Sequence, residues 1–178
     1  IVALPLLFGC WKGEPPKKLY RGALFLLFAY LSVCAINHHR ALETVKKAAH
    51  TQGITYLRAD AFPQPFSPFR WMGIVEESMS TYRTWLGLSQ KEKIQFQSFS
   101  HERRNRYIEK TEQLELIRLY RWFACYPVVS YREKNDRHVI EYFDLRFSLR
   151  SLGLKRRPFI MQVIMDEQGK VLSQGFNR

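Results

Sequence analysis

The sequence lacks most of the short motifs that mark a catalytic or nucleotide-binding protein. In 178 residues there is no P-loop, no G-x-G-x-x-G, no G-x-S-x-G, no H-E-x-x-H and no C-x-x-C. These absences exclude the commonest nucleotide-binding, serine-hydrolase and zinc-protease signatures. They leave open a site of unusual composition, which a motif search does not detect.

Cysteine is also scarce. The chain has 3 cysteines, Cys10, Cys34 and Cys125. No pair of them has the spacing of a zinc site or of a disulfide framework. Two lie in apolar runs and the third in a predicted core helix, a usage that indicates a reducing, cytoplasmic location for the soluble part.

Charge is missing from one long stretch near the start. No charged residue lies between Arg21 and His38. As a helix, Leu19–Ile36 spans roughly 27 Å, close to the hydrocarbon core of about 30 Å. The sequence therefore predicts a transmembrane helix that continues in water to about Gln52, with Gly53 as its stop. A buried helix of a soluble domain is the alternative.

A second apolar run occupies residues 1–11, and no methionine precedes it. We interpret this run as the end of a truncated helix, and the proline-containing residues 12–18 as a hairpin loop. Residues 1–52 would then end a transmembrane region and residues 53–178 would form a soluble domain, so that the chain is the C-terminal part of a longer membrane protein. Four basic residues flank the predicted transmembrane helix Leu19–Ile36 and are predicted to lie at the membrane interface: Lys17, Lys18, Arg21 and Arg40.

One sign of charge dominates, since the net charge is +12. Beside a membrane, such an excess predicts contact with the anionic headgroups of the lipid bilayer. A nucleic-acid partner is disfavoured, because four glutamates dilute the basic helical region that would bind it: Glu102, Glu109, Glu112 and Glu115. Basic residues on both sides of the apolar run leave the orientation in the membrane open.

The residues after Gly53 are predicted to form an α+β domain, a small, mainly antiparallel sheet of about six or seven strands with one helical insertion. The insertion, His101–Tyr126, is expected in two pieces, and we see no internal repeat. Residues Phe62–Phe69 contain three prolines and are expected to be extended. The strand-like segments are Ile54–Asp60, Arg70–Glu77, Ser80–Leu88, Ile94–Phe99, Val128–Glu133, Val139–Ser148, Pro158–Met165 and Lys170–Gln174.

One predicted strand carries a regular alternation of side chains. If residues 141–147 are extended, Phe143, Leu145 and Phe147 share the core face. Asp144 and Arg146 then share the opposite face, where they form an exposed ion pair worth roughly 0–1 kcal/mol. A purely structural role for this pair and a role in a ligand or partner site both remain open.

Three short motifs, in this order, resemble a bacterial family. They are a proline-rich lead into Ser67-Pro-Phe-Arg-Trp71, an aromatic helix running into Tyr126-Pro-Val128, and Asp144-Leu-Arg-Phe147 followed by Pro158-Phe159. The chain is similar in these motifs to the inner-membrane metal-dependent hydrolases of the YdjM/YbcI/YfhP type, whose LexA-binding label we do not carry over to this chain.

The resemblance implies a bacterial inner-membrane protein whose soluble domain is cytoplasmic. It also implies that the parent protein uses a divalent metal held by histidines and acidic residues upstream of this chain. No such motif occurs here, so no catalytic residue and no metal ligand is assigned within the 178 residues.

Two functional hypotheses follow. In the first, the domain is the accessory module of a membrane hydrolase, and positions a substrate or partner whose identity is unknown. In the second, it is a non-enzymatic membrane-anchored adaptor for a protein, an anionic lipid or nucleic acid. In either case the candidate functional surface is formed by Pro68, Arg70, Trp71, Asp144 and Arg146.

Overall fold

The computed structural model describes residues 17–65, 67–89, 93–100, 105–147 and 159–176. The predicted truncated helix and most of the predicted hairpin loop lie outside the described residues. The elements are α1 (Lys17–Thr51), β1 (Arg58–Gln64), β2 (Ser67–Glu76), β3 (Ser80–Gly87), β4 (Gln97–Ser100), α2 (Arg106–Glu112), α3 (Glu115–Phe123), β5 (Pro127–Lys134), β6 (Arg137–Asp144), a 3-10 turn (Leu145–Phe147), β7 (Met161–Met165) and β8 (Val171–Phe176).

Helix α1 confirms the long apolar helix expected from the sequence. It contains no proline or internal break, and it ends in a Schellman-type cap. Gly53 has a φ of 71°, its N–H donates to the carbonyl of His50, and the N–H of Ile54 donates to the carbonyl of Ala49. In the sequence, the helix precedes every described strand. Nothing in the described residues matches its description as the C-terminal helix of a larger membrane region.

The strands form two sheets, so the prediction of one sheet of six or seven strands is wrong. Each sheet is an antiparallel meander of four strands, in the order β1-β2-β3-β4 in the first and β5-β6-β7-β8 in the second. Helix α1 precedes the first meander, and the short helices α2 and α3 precede the second. The two halves thus share one plan, helix followed by four-stranded meander. The α+β class is confirmed, and the helical insertion is modest.

Strand boundaries differ from the prediction where proline is involved. The proline-rich segment is extended, as expected, and its described residues form the end of β1 and the start of β2. Pro63 is tolerated because β1 is an edge strand of its sheet. The register shifts between Pro63 and Gln64, where a ladder hydrogen bond cannot form.

Side chains alternate along β2 and join three layers. Trp71 and Val75 pack against α1, whereas Met72 and Ile74 pack against Tyr126, Val128, Phe143 and Leu145 of the second half. The far face of the second sheet packs against α2 and α3. The order of layers is therefore α1, first sheet, second sheet, α2 with α3.

Strand β6 is buried on both faces, which corrects the expectation of one core face and one surface face. Ile140 and Tyr142 face α2 and α3, while Phe143 faces the first sheet. The strand also ends at Asp144, and a 3-10 turn replaces the predicted continuation to residue 148. Leu145 and Phe147 therefore do not continue the alternation of Phe143.

Candidate functional site

Helix α1 has two halves with opposite surroundings. Residues 18–36 carry eleven large apolar side chains that are exposed, among them Phe25, Phe28 and Ile36. The residues buried from Asn37 onward are small or medium in size and recur every four positions: Asn37, Ala41, Val45 and Ala49. The helix is long and apolar enough to cross a membrane, and only 6% of its most apolar window is buried within the protein. The first half is therefore available to lipid, and the second half is part of the folded domain.

The predicted residues Pro68, Arg70 and Trp71 lie where the packed half of α1 begins. The side-chain amide of Asn37 donates to the carbonyl of Pro68 at 3.1 Å. The indole N–H of Trp71 donates to the same carbonyl at 3.0 Å, and the His38 ring lies 5.5 Å from the Trp71 ring. Trp71 is buried and Pro68 is half-buried, whereas Arg70 is exposed. Two of the three residues therefore join the helix to the sheet, and Arg70 faces water.

The predicted pair Asp144 and Arg146 is present, but Asp144 is not exposed. Its side chain is 0% accessible. It accepts hydrogen bonds from the backbone N–H groups of Cys125 and Arg146 and from Nε of Arg146, each at 2.9 Å. The hydrogen bond to Asp144 raises the pKa of Arg146 above its ordinary value. The pair is largely buried and links the end of β6 to the end of α3, where Arg146 also donates to the carbonyl of Phe123, so it is not the exposed surface pair that was expected.

A second carboxylate cluster, centred on the partly exposed Asp60, involves Tyr126. The hydroxyl of Tyr126 donates to Asp60 in β1, Arg58 forms an ion pair with the same carboxylate at 2.7 Å, and the Arg58 guanidinium lies 4.8 Å from the Tyr126 ring centre. Burial and the Asp60 carboxylate together raise the pKa of Tyr126 well above its ordinary value. Both clusters cross between segments distant in sequence, and their chemistry is that of structural ion pairs.

The second half carries an exposed aromatic strip, which we define as Phe123, Phe147, Phe159, Tyr120 and Phe176. Phe123 and Phe147 stack with ring centres 5.8 Å apart, and Phe147 lies 5.2 Å from Phe159. Tyr120 donates to the carbonyl of Phe159 and lies 6.4 Å from the Phe176 ring. Burial raises the pKa of Tyr120 to about 12. Three of the five side chains, those of Phe123, Phe159 and Phe176, are more than half exposed.

Helix α3 extends this apolar surface outward. Ile117 and Tyr120 face the core, so Leu119 and Trp122 project from the opposite side of the helix. Trp122 is 82% exposed. The guanidinium of Arg146 lies 6.0 Å from the Phe123 ring and 5.4 Å from the Phe147 ring. The strip therefore combines large apolar area with a fixed positive charge.

The position of the strip relative to α1 follows from the contacts of Tyr126, which is close to Phe123 in the sequence. Asn37 contacts Pro68 at one end of β2. At the other end, Arg58 of β1 lies opposite Glu76 in the strand register. Arg58 covers Tyr126, three residues after Phe123. Tyr126 also contacts Phe62, whose strand partner is Met72, so Tyr126 lies against the middle of the ten-residue strand β2 and not beside Pro68.

The structure does not unite the five residues predicted as one surface. Pro68, Arg70 and Trp71 lie at the α1 end of β2, whereas Asp144 and Arg146 lie beside Tyr126, and no described hydrogen bond, ion pair or ring contact joins the two sets. Of the basic residues predicted at the membrane interface, Lys17 begins α1, and Lys18, Arg21 and Arg40 are exposed. The five residues predicted as the functional surface do not include Trp122, although its exposed position follows from the helical periodicity of Ile117 and Tyr120.

Among the residues described, no group of three or more histidine, cysteine, aspartate and glutamate side chains is placed to hold a metal ion. No family model, curated protein or solved structure matches the chain. The candidate surfaces therefore depend on the geometry of this chain alone.

Proposed function

We propose that this chain is a membrane-anchored, non-catalytic binding domain. Helix α1 would hold the domain at the bilayer, and the aromatic strip would bind a protein partner. The proposal depends most on one observation: α1 continues without a break from its exposed apolar half into the half that packs on the first sheet.

A continuous helix couples the anchor to the domain rigidly. The buried positions Ala41, Val45 and Ala49 lie on one face of the helix and contact the first sheet. A flexible linker would let the strip sample every orientation, whereas this packing holds the strip at one height and direction above the bilayer. Such coupling suits an adaptor that must present its partner at a defined distance from the membrane.

The aromatic strip supports the binding role. Exposed large apolar patches on folded domains mark interaction sites more often than isolated apolar residues do. Aromatic and arginine side chains are also the residues enriched at the centre of protein interfaces. The strip has both, and the ion pair of Arg146 with Asp144 fixes the guanidinium beside the rings.

A photocrosslinking experiment tests the binding role. A benzophenone side chain placed at position 122, on the full chain in its native membrane, should give one discrete protein adduct, and Phe159→Ser should abolish it. The matched control is position 57, where Leu57 is 78% exposed. Adducts to lipid alone, or equal adducts from both positions, would contradict a protein-binding strip.

Resistance of the membrane-bound chain to alkaline carbonate extraction tests the anchor. We expect the full chain to stay with the membrane pellet, because most of the large apolar side chains of residues 18–36 are exposed in the described part of the chain. Release into the supernatant would contradict anchoring by a transmembrane helix.

The hydrolase hypothesis remains a prediction that depends on the resemblance described above. It is compatible with the present proposal, since a binding domain of this kind would serve as the accessory module and the divalent metal would lie elsewhere in the parent. The reading frame upstream of Ile1 tests it, because the hypothesis requires further membrane helices with histidine and acidic clusters there.

A further inference from the structure

We infer that the domain binds the headgroups of anionic phospholipids through an emergence rim, which we define as Arg40, Phe69 and Arg70. The inference rests on the proposed membrane anchor and extends it from the helix to the folded domain. The rim joins residues from α1 and from β2, thirty positions apart in sequence.

The first observation is that hydrogen bonds hold the start of β2 at one position along α1. Pro68 accepts from Asn37 at 3.1 Å and from the Trp71 indole at 3.0 Å. Asn37 directly follows Ile36, the last residue of the exposed apolar half. Residues on either side of Pro68 and Asn37 therefore lie at the level where the helix leaves the hydrocarbon.

The second observation is the chemistry of the side chains at this level. Arg40 and Arg70 are both exposed, and neither forms an ion pair with any described carboxylate. Glu43, the nearest acidic residue along α1, is already paired with Lys46 at 3.2 Å. The two guanidinium groups are thus free to pair with phosphate, which arginine binds in a bidentate manner.

The third observation is an exposed aromatic side chain next to Arg70 in the sequence. Phe69 is 51% exposed and precedes Arg70 on β2. Its backbone carbonyl accepts from the N–H of Leu88, so the strand is held in place while the ring faces outward. An aromatic ring beside cationic groups is the usual composition of a protein surface that rests on the membrane–water interface.

Spin-labelled lipids measure this contact directly. The full chain is reconstituted in phosphatidylcholine vesicles, and the motionally restricted fraction of spin-labelled phosphatidylglycerol is compared with that of spin-labelled phosphatidylcholine by electron paramagnetic resonance. We expect the wild-type chain to prefer phosphatidylglycerol, and Arg40→Gln with Arg70→Gln to reduce this preference by about five-fold per arginine in low salt. The basic residues at the other end of α1 contribute equally in every variant.

The matched control is Lys47→Gln with Lys93→Gln, which removes the same two charges. Both lysines are exposed and lie towards the far end of α1, where Gln52 donates to the carbonyl of Ile94 at 2.9 Å. A preference lost in the rim variant and kept in the control supports the rim. An unchanged rim variant, or an equal loss in the control, overturns it.

Carbonate extraction of the same samples separates the two proposals. If the chain stays in the pellet but the rim variant keeps its lipid preference, the anchor stands and the rim inference fails. If the wild-type chain is extracted, the anchor itself fails and the rim inference fails with it.

Discussion

At the scale of single residues, we expect the buried carboxylate of Asp144 to contribute more to the free energy of unfolding than the exposed charges do. Asp144 has no accessible side-chain surface and accepts hydrogen bonds from two backbone N–H groups as well as from Arg146. The hydrogen bonds are the reason the cost of burying a charge is tolerated here. An asparagine side chain has one acceptor oxygen where aspartate has two, so it could accept only some of these hydrogen bonds.

Replacing Asp144 with asparagine should lower the free energy of unfolding by about 3–5 kcal/mol, because it leaves a half-buried guanidinium and a backbone donor without their anionic partner. The measurement is urea unfolding of the detergent-solubilised chain. Glu43→Gln is the control, since its ion pair with Lys46 is largely exposed and should be worth less than about 1 kcal/mol. Equal losses in both variants would show that burial does not strengthen the Asp144 pair.

Tyr126 should make the protein sensitive to alkali. Its pKa is raised by burial and by the Asp60 carboxylate, so the folded state holds this proton more tightly than the unfolded chain. The resulting stability is complete below the ordinary tyrosine pKa of about 10 and is lost as the pH rises towards the folded pKa.

Above pH 10, Tyr126 should make the free energy of unfolding fall by about 1.4 kcal/mol per pH unit. Tyr126→Phe should remove this part of the fall. At pH 7 it should cost about 1.5–3 kcal/mol, because Asp60 loses a hydrogen bond. Chemical unfolding at pH 7, 10 and 11 measures both effects. Tyr20→Phe, an exposed position on α1, should change neither, and an unaltered alkaline slope in Tyr126→Phe would refute the assignment.

At the scale of elements, the contact between α1 and the first sheet depends on a missing side chain. A Cβ atom at Gly73 would lie 2.4 Å from Cγ2 of Val45 and 3.0 Å from Cγ2 of Thr84. Both neighbours are side chains at buried positions, so neither can move far. The helix can therefore approach β2 this closely only because position 73 is glycine.

Gly73→Ala should lower the free energy of unfolding by about 1–3 kcal/mol through overpacking. Val45→Ala should lower it separately through a cavity, and the double variant should lose less than the sum of the two, because the new methyl group occupies the space that Val45 leaves. A double-mutant cycle in urea measures the coupling. Additive losses would show that Val45 does not limit the approach of the helix.

At the scale of the whole molecule, the two meanders should unfold together. Met72 and Ile74 of the first sheet and Val128 and Phe143 of the second share one apolar cluster. Each sheet has its helix on one face and the other sheet on its opposite face, so separating the halves would expose one face of each. This shared cluster makes the pair of halves a single cooperative unit.

Ile74→Ala should therefore lower the protection of backbone amides in both sheets by the same free energy, about 2–5 kcal/mol. Hydrogen exchange followed by mass spectrometry gives the value for each strand. As a comparison, Ile117→Ala removes a side chain that contacts only the second half. Loss of protection confined to β1–β4 in the Ile74 variant would show that the halves are independent domains.

Local patterns account for the parts of the fold that were predictable. The extent of α1 follows from its uninterrupted helix formers and from Gly53, and the hairpin β2–β3 follows from two alternating runs around a short turn. The division into two sheets was missed, because hydrogen-bond partners between strands are long-range choices. Strand β6 misled the prediction for a related reason: it is buried on both faces, so the alternation of its residues carried no information about a surface.

The candidate surfaces divide in the same way. The exposed apolar half of α1 was predictable from the sequence, since an uncharged apolar run of this length is typical of a membrane-spanning helix. The predicted set of Pro68, Arg70, Trp71, Asp144 and Arg146 was separated by the fold into two places, because short motifs do not record which strands become neighbours. Trp122 was left out of that set, because its place beside the aromatic strip depends on contacts between segments that are distant in sequence.

The sequence by itself determined the α+β class, the long apolar helix and the paired charges of Asp144 and Arg146, because each depends on residues within a few positions of one another. The tertiary structure alone decided the pairing of two like-built halves, the alignment of β2 with α1, and the strip that joins α3 to the ends of β6, β7 and β8. These features depend on which apolar faces meet during packing. That choice is made by the area and shape that distant segments bury together, and no local pattern contains it.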